Sequence, residues 1–460
     1  MTENCAVILA AGEGTRMKSE KPKAMAEVLF KPMLRWVLDA VGAADIKDVC
    51  VVAGYKSEII EEYLNAECTV VRQTERLGTG HAVKCAADFI KAHSGANVLV
   101  LNGDAPFMDA VSVSDALLAH KKNKSGVTVI SANVPEPFGY GRIVRSSDGA
   151  FLKITEEKEA SAEEKKITEI NSGAMWFDAD ALTKALSLLK NDNAKGEYYL
   201  TDTIEIIRKE GMKADAFAAA CPDVVLGANT RVQLAQLNKI ARDAQLEKQM
   251  LAGVDIPCAD GVIICPDAVI GTDTTILPGT IIKGGVTIGK GCTIGPDSLL
   301  ENSSVGDFSV LNSTQCYSSE IGSGVTVGPF VYIRPGCVIA DRVHIGDFVE
   351  IKNSTVGEGT KLPHLTYIGD SDIGSGVNFG CGSVTVNYTG KEKFRTTVRD
   401  GAFIGCNTNL VAPVTVGEKA YTAAGSTITH DVPDNALAIA RSTQVDKEEW
   451  VTRKKPYKNK

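Results

Sequence analysis

Residues 7–17 read VILAAGEGTRM, and residues 21–23 read KPK. The run begins as a short apolar strand, breaks at Gly12 and Gly14, and is followed by the cations Arg16 and Lys23. Glycine lets a backbone approach an anion closely, and the N–H groups of such a turn attract negative charge. Nearby cations can neutralise charge at a reacting phosphorus. The stretch therefore predicts phosphoryl or nucleotidyl chemistry near the N-terminus, at a turn that follows a short strand.

The glycine spacing excludes two common phosphate-binding motifs. The dinucleotide fingerprint needs a third glycine at position 17, where this chain has Met17, and no Gly-Lys-Ser/Thr follows for a Walker loop. What remains is L-x-x-G-x-G-T-x-M followed by P-K. It resembles the signature loop of sugar-1-phosphate nucleotidylyltransferases and matches each of its fixed positions.

Apolar strands alternate with helical patterns through the first 225 residues. Strands are predicted at 5–10, 49–53 and 97–101, with helical stretches such as 33–41 and 80–90 between them. This alternation predicts a largely parallel sheet with helices on both faces. Ligands bind beyond the carboxyl ends of the strands in such sheets, and both Gly12–Gly14 and Asn102–Asp104 fall there.

The period of the sequence changes in the second half. Residues 229–251 contain no Gly or Pro and predict one long helix. From about residue 262, an aliphatic residue followed by glycine recurs mostly at multiples of six, as at Ile288-Gly289 and Ile294-Gly295. This is the hexapeptide β-helix pattern, and a glycine-rich β-sandwich would not produce it. The repeat breaks between about 384 and 400, which predicts a protruding loop.

These patterns divide the chain into three segments, for an α/β protein overall. Residues 1–228 are predicted to form a Rossmann-like nucleotidyltransferase domain with a mixed, mostly parallel sheet, and residues 229–251 a linker helix. Residues 252–460 are predicted to form a left-handed parallel β-helix of hexapeptide repeats with a C-terminal tail. The last eight residues carry five cations, which favours a solvated tail.

Composition narrows the function classes. The chain has 460 residues and a net charge of −8, which argues against a general nucleic-acid binder. It has no apolar run of transmembrane length, and its N-terminus is acidic where a signal peptide would be basic. The 12 cysteines show no CxxC pair or zinc spacing and are most simply reduced thiols. We therefore expect a cytoplasmic protein without membrane insertion.

Together the two halves resemble the bacterial family of bifunctional N-acetylglucosamine-1-phosphate uridylyltransferases and glucosamine-1-phosphate N-acetyltransferases, over nearly the whole chain. The resemblance implies that the second half transfers acetyl from acetyl-CoA to glucosamine-1-phosphate. The first half would join that product to UTP, giving UDP-N-acetylglucosamine and pyrophosphate for peptidoglycan and lipopolysaccharide synthesis. A single β-helix does not easily build a cleft, and sites in this fold usually lie between helices, so a homotrimer is also implied.

The resemblance implies a uridylyl site in the first half, with Mg²⁺ held by Asp104 and Asn229, a hard cation on oxygen ligands. The residues implied to bind UTP or the nucleotide sugar are Leu9, Ala10, Ala11, Gly12, Gly14, Arg16, Lys23, Gln73, Gly78, Thr79, Gly141, Glu156, Asn171 and Asn229. Two positions depart from the family pattern. Asn102 stands where an aromatic residue is common, and Thr230 where Asn or Asp usually follows Asn229.

The resemblance implies an acetyl site in the second half, with His364 as the general base. An imidazole has a suitable pKa for this role. The implied sugar-phosphate residues are Arg334, Lys352, Tyr367 and Asn378, with Glu350 completing the pocket. The implied acetyl-CoA contacts are Cys381, Asn387, Tyr388, Lys393, Cys406, Ala424 and Arg441. Cys381 and Cys406 stand where the family often has Ala and Ser, so the thiols could make this site sensitive to alkylation.

The residues alone leave two other interpretations of the function open. The first is a different nucleotidylyltransferase with a β-helix tail, such as an ADP-glucose or GDP-mannose pyrophosphorylase, which would lack the set formed by His364, Lys352, Asn378 and Lys393. The second is a non-catalytic trimeric scaffold, which loss of site residues would favour. One histidine on a β-helix is more often a plain surface residue, and Gly-Asp after a strand is also a common turn.

Overall fold

The computed structural model describes residues 4–192, 196–454 and 456. The chain divides into two compact units, residues 1–241 and 242–460, and the division falls inside one long helix. The segment boundaries at 228 and 251 stay predictions. Most of the basic tail, for which a solvated state is predicted, lies outside the described residues. Within the described ranges, no helix combines the length and the apolar character needed to cross a membrane.

The first unit is built on a nine-stranded sheet and a separate two-stranded ribbon. Its strands are β1 Asn4–Ala10, β2 Glu27–Val28, β3 Lys31–Pro32, β4 Asp48–Ala53, β5 Thr69–Arg72, β6 Asn97–Asn102, β7 Ser125–Asn133, β8 Arg142–Arg145, β9 Phe151–Thr155, β10 Glu169–Asp178 and β11 Lys213–Ala218. Its helices are α1 Met33–Ala43, α2 Ser57–Leu64, α3 Thr79–Cys85, α4 Ala87–Ala92, α5 Ala110–Asn123, α6 Ala179–Leu188 and α7 Asp202–Lys209, and α8 Arg231–Leu251 spans the division. Short 3₁₀ turns occupy Thr15–Met17, Lys23–Met25, Glu164–Lys166 and Pro222–Val225.

The large sheet is mixed and mostly parallel, which confirms the predicted class. Seven of its strands follow the order β11-β7-β10-β6-β1-β4-β5, in which β10 runs antiparallel and the other six run parallel to one another. β8 pairs antiparallel with β10, and β9 pairs antiparallel with β8. Residues along β1 alternate between two cores: Cys5 and Val7 pack with one set of helices, while Ala6 and Ile8 pack with the other. Helices therefore cover both faces. Leu9 pairs with Asn102, so the loops after β1 and β6 leave the sheet side by side.

Two predicted helices differ from the structure in their bounds. The stretch 80–90 forms two helices, α3 and α4, which meet at Ala86; the N–H of Ala86 bonds to the Val83 carbonyl three residues back at 3.0 Å, which tightens the turn. The helix predicted from 229 begins at Arg231. Thr230 Oγ1 accepts a hydrogen bond from the Gln233 N–H at 3.2 Å, which is N-cap geometry. That cap leaves Asn229 outside the helix.

The second unit is a parallel β-helix of three faces, as predicted. Face 1 contains Ile263–Ile264, Ile281–Ile282, Leu299–Glu301, Thr314–Tyr317, Val331–Ile333, Glu350–Lys352, Tyr367–Gly369, Val384–Val386, Asn409–Val411 and Thr427–Ile428. Face 2 contains Val269–Ile270, Thr287–Ile288, Ser304–Val305, Glu320–Ile321, Val338–Ile339, Thr355–Val356, Ser371–Ile373, Thr396–Val398 and Val414–Val416. Face 3 contains Thr275–Ile276, Thr293–Ile294, Val310–Leu311, Thr326–Val327, His344–Asp347, Lys361–His364, Asn378–Phe379, Phe403–Ile404, Tyr421–Thr422 and Leu437–Ala438. A short helix, Trp450–Lys454, follows.

One aliphatic core runs through the β-helix, because the apolar residue of each hexapeptide points inward. Residues 387–395 interrupt the coils between Val384–Val386 and Thr396–Val398, where the loop was predicted. Arg395 fixes the end of this loop: its Nε donates to Asp372 Oδ2 at 2.9 Å and its Nη1 donates to the Asn353 carbonyl at 3.1 Å. The loop therefore leaves the coil at an anchored base.

Candidate active sites

The turn after β1 is shaped by Gly14 and Lys23. Gly14 has φ +67°, and a Cβ there would lie 2.8 Å from Lys23 Cβ, so both conformation and space require glycine. At Gly12 a Cβ would meet no atom within 4 Å, so the backbone is open on that side. Ala10 and Ala11 are buried beneath the turn, and the Leu9 carbonyl accepts the Gly103 N–H at 2.9 Å. Arg16 is exposed on the following 3₁₀ turn.

Three predicted site residues meet at the carboxyl ends of β1 and β6. Lys23 Nζ donates to Asn229 Oδ1 at 2.6 Å and forms an ion pair with the Asp104 carboxylate. The Lys23 side chain is 14% exposed and that of Asp104 26%, so the pair is sheltered from water. Lys23 and Asn229 lie 206 residues apart in the chain. The cap at Thr230 contributes to this meeting, because the helix begins only at Arg231 and Asn229 stays in the loop before it.

The donor set at this cluster fits a hard divalent cation. The Asp104 carboxylate and the Asn229 amide oxygen converge on one positive charge, which the Lys23 ammonium supplies in the structure. Carboxylate and amide oxygens are ligands that Mg²⁺ accepts, usually with phosphate oxygens and water completing its shell. Over the described ranges, no group of three or more His, Cys, Asp or Glu residues could hold a metal. Burial, and next the charge of Asp104, raise the pKa of Tyr140, so its hydroxyl stays protonated beside the cluster.

The loop after β5 holds Gln73 in a fixed orientation. Gln73 is buried, and its Nε2 donates to the Gly78 carbonyl at 3.2 Å and to His81 Nδ1 at 3.0 Å. Gly78 has φ +98°, and a Cβ there would lie 2.6 Å from the Tyr198 carbonyl oxygen. Thr79 Oγ1 accepts the Leu200 N–H at 3.1 Å. The amide of Gln73 and the 78–79 turn therefore form one rigid polar edge.

The three residues implied to bind the amino sugar also come together. The Asn171 N–H donates to the Gly141 carbonyl at 2.9 Å, and a Cβ on Gly141 would lie 3.3 Å from Glu156 Oε1.

An ion pair joins Glu13 in the glycine turn to Arg76 in the Gln73 loop, and the sequence did not indicate it. The two residues are 63 positions apart, and pairing at that distance leaves no local pattern.

On face 1 of the β-helix, the predicted phosphate residues stack in one column. The register pairs Ile333 with Ile351, so Arg334 and Lys352 lie next to each other in neighbouring coils. Arg334 Nη1 donates to Glu350 Oε1 at 2.9 Å, and Tyr367 pairs with Glu350 in the next coil. The guanidinium and the ammonium group therefore stand beside one another on the outer surface, as a phosphate clamp requires.

Asp370, which sequence reasoning missed, lies under this clamp. Its side chain is 7% exposed, and its carboxylate lies 3.8 Å from Lys352 Nζ. The carboxylate accepts hydrogen bonds from Asn353 Nδ2 at 2.6 Å and from Asn387 Nδ2. Burial by itself would raise the pKa of Asp370. The hydrogen bonds and the nearby lysines outweigh burial and lower this pKa below its usual value. Contact with Lys393, and next burial, lower the pKa of Lys352. Asp370 thus joins Lys352, Lys393 and the base of the loop.

His364 ends its strand on face 3 and pairs with Asp347 one coil earlier. His364 Nδ1 lies 3.0 Å from Asp347 Oδ1. A proton on Nδ1 donated to that carboxylate leaves Nε2 as the basic nitrogen. The hydrogen bond from His364 lowers the pKa of Asp347, so this carboxylate stays ionised. Asp347 was missed, although its offset of 17 residues is one coil of the repeat and could have indicated it.

Asn378 does not lie opposite His364. It pairs with Lys361, three residues before His364 along the strand. The position opposite His364 belongs to the corner that contains Cys381, because the Gly382 N–H bonds to the Leu365 carbonyl at 3.0 Å. Asn387 is buried against Asp370, whereas Tyr388 is exposed on the loop and its hydroxyl donates to the Gly390 carbonyl at 2.7 Å.

The predicted acetyl-CoA residues of the last coils form a column along this corner. The Asn407 N–H donates to the Cys381 carbonyl at 2.7 Å, and the Gly425 N–H donates to the Cys406 carbonyl at 2.8 Å. These bonds place Cys381, Cys406 and Ala424 in register on successive coils. A Cβ on Gly425 would lie 3.7 Å from Arg441 Cδ, so Arg441 extends the same column.

Both units of the chain are similar to known proteins. Residues 5–221 match the Nucleotidyl transferase family model, and residues 267–302 and 318–353 match the Bacterial transferase hexapeptide (six repeats) model. A "Bifunctional protein GlmU" of Clostridioides difficile is 46% identical over 98% of this chain and 97% of its own length. Proteins of the same name from Clostridium botulinum and Acetivibrio thermocellus are 46% and 48% identical, again over 98% of this chain and 98% and 97% of their own lengths.

Proposed function

The chain belongs to the family of bifunctional GlmU proteins, and from that premise we propose how its residues perform two successive reactions. The enzyme acetylates glucosamine-1-phosphate with acetyl-CoA and then transfers uridylyl from UTP to N-acetylglucosamine-1-phosphate, releasing pyrophosphate. The product, UDP-N-acetylglucosamine, serves the synthesis of peptidoglycan and lipopolysaccharide.

The observation that carries the uridylyl assignment is the convergence of Lys23, Asp104 and Asn229 beside the open backbone at Gly12. In this proposal the turn after β1 cradles the triphosphate, and Lys23 and Arg16 neutralise charge as the sugar phosphate attacks the α-phosphorus in line. The polar edge formed by Gln73 and the 78–79 turn recognises uracil. Gly141, Glu156 and Asn171 bind the amino sugar. Positioning and charge stabilisation supply the rate, without a covalent intermediate.

Membership of this nucleotidyltransferase family indicates a divalent-metal requirement. We propose Mg²⁺, with Asp104 and Asn229 as its protein ligands. When bound, the ion would neutralise phosphate charge and help to orient the triphosphate. Lys23, whose ammonium group lies between these two oxygens in the structure, would then turn to the phosphates. The support is the donor chemistry and the convergence of the two oxygens on one cation.

For acetyl transfer, we propose that His364 Nε2 takes a proton from the glucosamine amine as the amine attacks the thioester. Asp347 orients the imidazole through Nδ1. Arg334 and Lys352 hold the 1-phosphate over Asp370, with Tyr367 and Asn378 completing the sugar site. The corner column of Cys381, Cys406, Ala424 and Arg441 receives acetyl-CoA, with Asn387, Tyr388 and Lys393 on the adjoining loop. The tetrahedral oxyanion would be stabilised by Asn378 or by nearby backbone groups.

The hexapeptide repeats indicate that the chain forms an oligomer. We propose that this oligomer is a homotrimer and that acetyl transfer takes place in it. An apolar column supports this, because Phe330, Phe348 and Leu365 are each more than half exposed at the corner beside His364, and the two phenylalanine rings stack at 5.4 Å. Exposed apolar surface of this kind marks interaction sites. Sedimentation of the purified protein tests the trimer.

We also propose a cytoplasmic location, because the three proposed substrates, glucosamine-1-phosphate, acetyl-CoA and UTP, are small soluble molecules of the cytoplasm.

A coupled assay tests both reactions in one sample. Purified protein is supplied with glucosamine-1-phosphate, acetyl-CoA, UTP and Mg²⁺, and UDP-N-acetylglucosamine, free CoA and pyrophosphate are measured. We expect all three products with UTP and little pyrophosphate when ATP or GTP replaces it. Pyrophosphate release with ATP or GTP in preference to UTP would contradict the uridylyl assignment. Absence of free CoA in the presence of the amino sugar would contradict the acetyl assignment.

A further inference from the structure

Two exposed thiols lie opposite each other in neighbouring coils of the β-helix. The register pairs Asn378 with Phe403 and Phe379 with Ile404, and the same offset of 25 residues pairs Cys381 with Cys406. The Asn407 N–H donates to the Cys381 carbonyl at 2.7 Å, which continues the ladder through this corner. Both cysteines are free and exposed, whereas Cys265, Cys292, Cys316 and Cys337 of the same unit are buried.

This spacing suits a disulfide. Neighbouring parallel strands lie about 4.8 Å apart, and disulfide-linked cysteines have Cα atoms about 4.4–6.8 Å apart. Because the two residues occupy the same position in successive coils, their side chains leave the corner in the same direction. The insertion of residues 387–395 separates them in sequence, so no CxxC-like pattern marks the pair.

We propose that Cys381 and Cys406 form a cross-coil dithiol that closes to a disulfide on oxidation and thereby blocks acetyl transfer. The oxidant is a small-molecule disulfide. One cysteine thiolate attacks a sulfur of that disulfide, giving a mixed disulfide and one free thiolate. The second cysteine thiolate then attacks the protein sulfur and releases the other thiolate, so two protein thiols and one small disulfide become one protein disulfide and two small thiols.

The effect on acetyl transfer rests on the proposed function, in which Cys381 and Cys406 line the acetyl-CoA column. Closing the bond draws the two side chains together across the coils and fixes the corner next to His364. Uridylyl transfer uses residues of the first unit and is unaffected. A small-molecule dithiol restores the acetyl reaction, because it reverses the same exchange.

Peptide mapping tests the bond itself. Native protein is treated with excess glutathione disulfide, its remaining thiols are capped with N-ethylmaleimide under denaturing conditions near neutral pH, and it is digested with trypsin. The peptides Leu362–Lys391 and Asp400–Lys419 each contain one cysteine, so their linked form identifies the pair unambiguously. We expect this linked peptide in the oxidised sample and its disappearance after dithiothreitol. Recovery of both peptides in alkylated or glutathionylated form only, without the link, would overturn the proposal.

Activity tests the consequence in the same samples. Oxidised wild-type protein should lose most of its acetyl transfer, keep its uridylyl transfer and recover with dithiothreitol. Cys381→Ser and Cys406→Ser are each compared with their own untreated activity and should resist the loss. Cys221→Ser, which removes an exposed thiol of the other unit, should behave as wild type.

Two activity results would contradict the proposal that the disulfide blocks acetyl transfer. One is a linked peptide with full acetyl transfer. The other is equal loss in Cys406→Ser, which would show that modification of single thiols is sufficient. The reduced wild-type protein provides the separate check on the proposed function: if it does not acetylate glucosamine-1-phosphate, that assignment fails whether or not the linked peptide forms.

Discussion

The two units bring site residues together in different ways. In the first unit, Lys23, Asp104 and Asn229 come from three loops at the carboxyl ends of a sheet, and the widest separation is 206 residues. In the β-helix, Asp347 and His364 are 17 residues apart, and Lys352 and Asp370 are 18 residues apart, each about one coil. A solenoid thus converts a sequence offset into a spatial neighbour. An open α/β sheet instead gathers residues according to strand order, which no offset encodes.

The largest expected effect tests whether the two units work independently. Asp104→Asn should abolish UDP-N-acetylglucosamine formation and spare acetyl transfer, because the change removes a metal ligand's charge with little change in volume. Both activities are measured over a range of Mg²⁺ concentrations. Asp88→Asn, at an exposed site of the same unit, is the control. Normal uridylyl turnover at limiting Mg²⁺ would contradict the metal role, and equal loss of both activities would indicate misfolding.

His364→Ala should lower the acetyl-transfer kcat by about 10²- to 10⁴-fold, the usual contribution of a positioned base. The KM for glucosamine-1-phosphate should change little, because Arg334 and Lys352 remain. Uridylyl transfer from supplied N-acetylglucosamine-1-phosphate should be unchanged. His344→Ala alters an exposed histidine on the same face and is the matched control. A fall in kcat of less than tenfold with a steep rise in KM would make His364 a binding residue.

Acid should destabilise the first unit more than the second. Burial lowers the pKa of His120 from 6.5 to about 4. The folded unit therefore binds fewer protons than the unfolded chain, and this contribution to stability, complete above pH 6.5, is lost as the pH falls towards 4. The loss between pH 7 and pH 5 is about 2 kcal/mol of unfolding free energy, from the pKa shift.

Denaturant unfolding of the two units at both pH values checks this prediction. The three histidines of the second unit, His344, His364 and His430, are all exposed, so its transition should move less. His120→Asn should remove most of the pH dependence attributed to this histidine. Equal shifts of the two transitions in the wild-type protein would show that His120 is not the cause.

The smallest expected effect concerns Asp370 as a positioning residue. Asp370→Asn should raise the KM for glucosamine-1-phosphate about tenfold with a smaller change in kcat, since a hydrogen bond to a charged group is worth about 1.5 kcal/mol or more. The rise should grow with pH, because Lys352 beside Lys393 would lose its proton more readily without the carboxylate. Asp341→Asn, which removes a turn carboxylate that accepts the Ser323 N–H, is the control. A KM increase independent of pH would indicate a purely structural role.

Sequence reasoning was most successful where chemistry is local. The glycine turn at 12–14, the strands predicted at 5–10, 49–53 and 97–101 and the hexapeptide spacing each follow from short-range patterns, and the structure has all of them. The break of the helical stretch at Ala86 and the start of α8 at Arg231 were not predicted. The second depends on the Thr230 cap, and a single side-chain hydrogen bond does not alter periodicity.

The sequence by itself determined the two-part architecture, the nucleotidyltransferase turn and the position of the interrupting loop, because glycine placement and apolar period are properties of neighbouring residues. The tertiary structure alone decided that Lys23 spans Asp104 and Asn229. The offset of one coil could have indicated that Asp347 lies near His364 and Asp370 near Lys352, but the side-chain contacts of these pairs come from the structure. The structure also decided that Cys381 lies opposite Cys406. These contacts depend on which strand ends and which coils become neighbours, and that is fixed only when the cores pack.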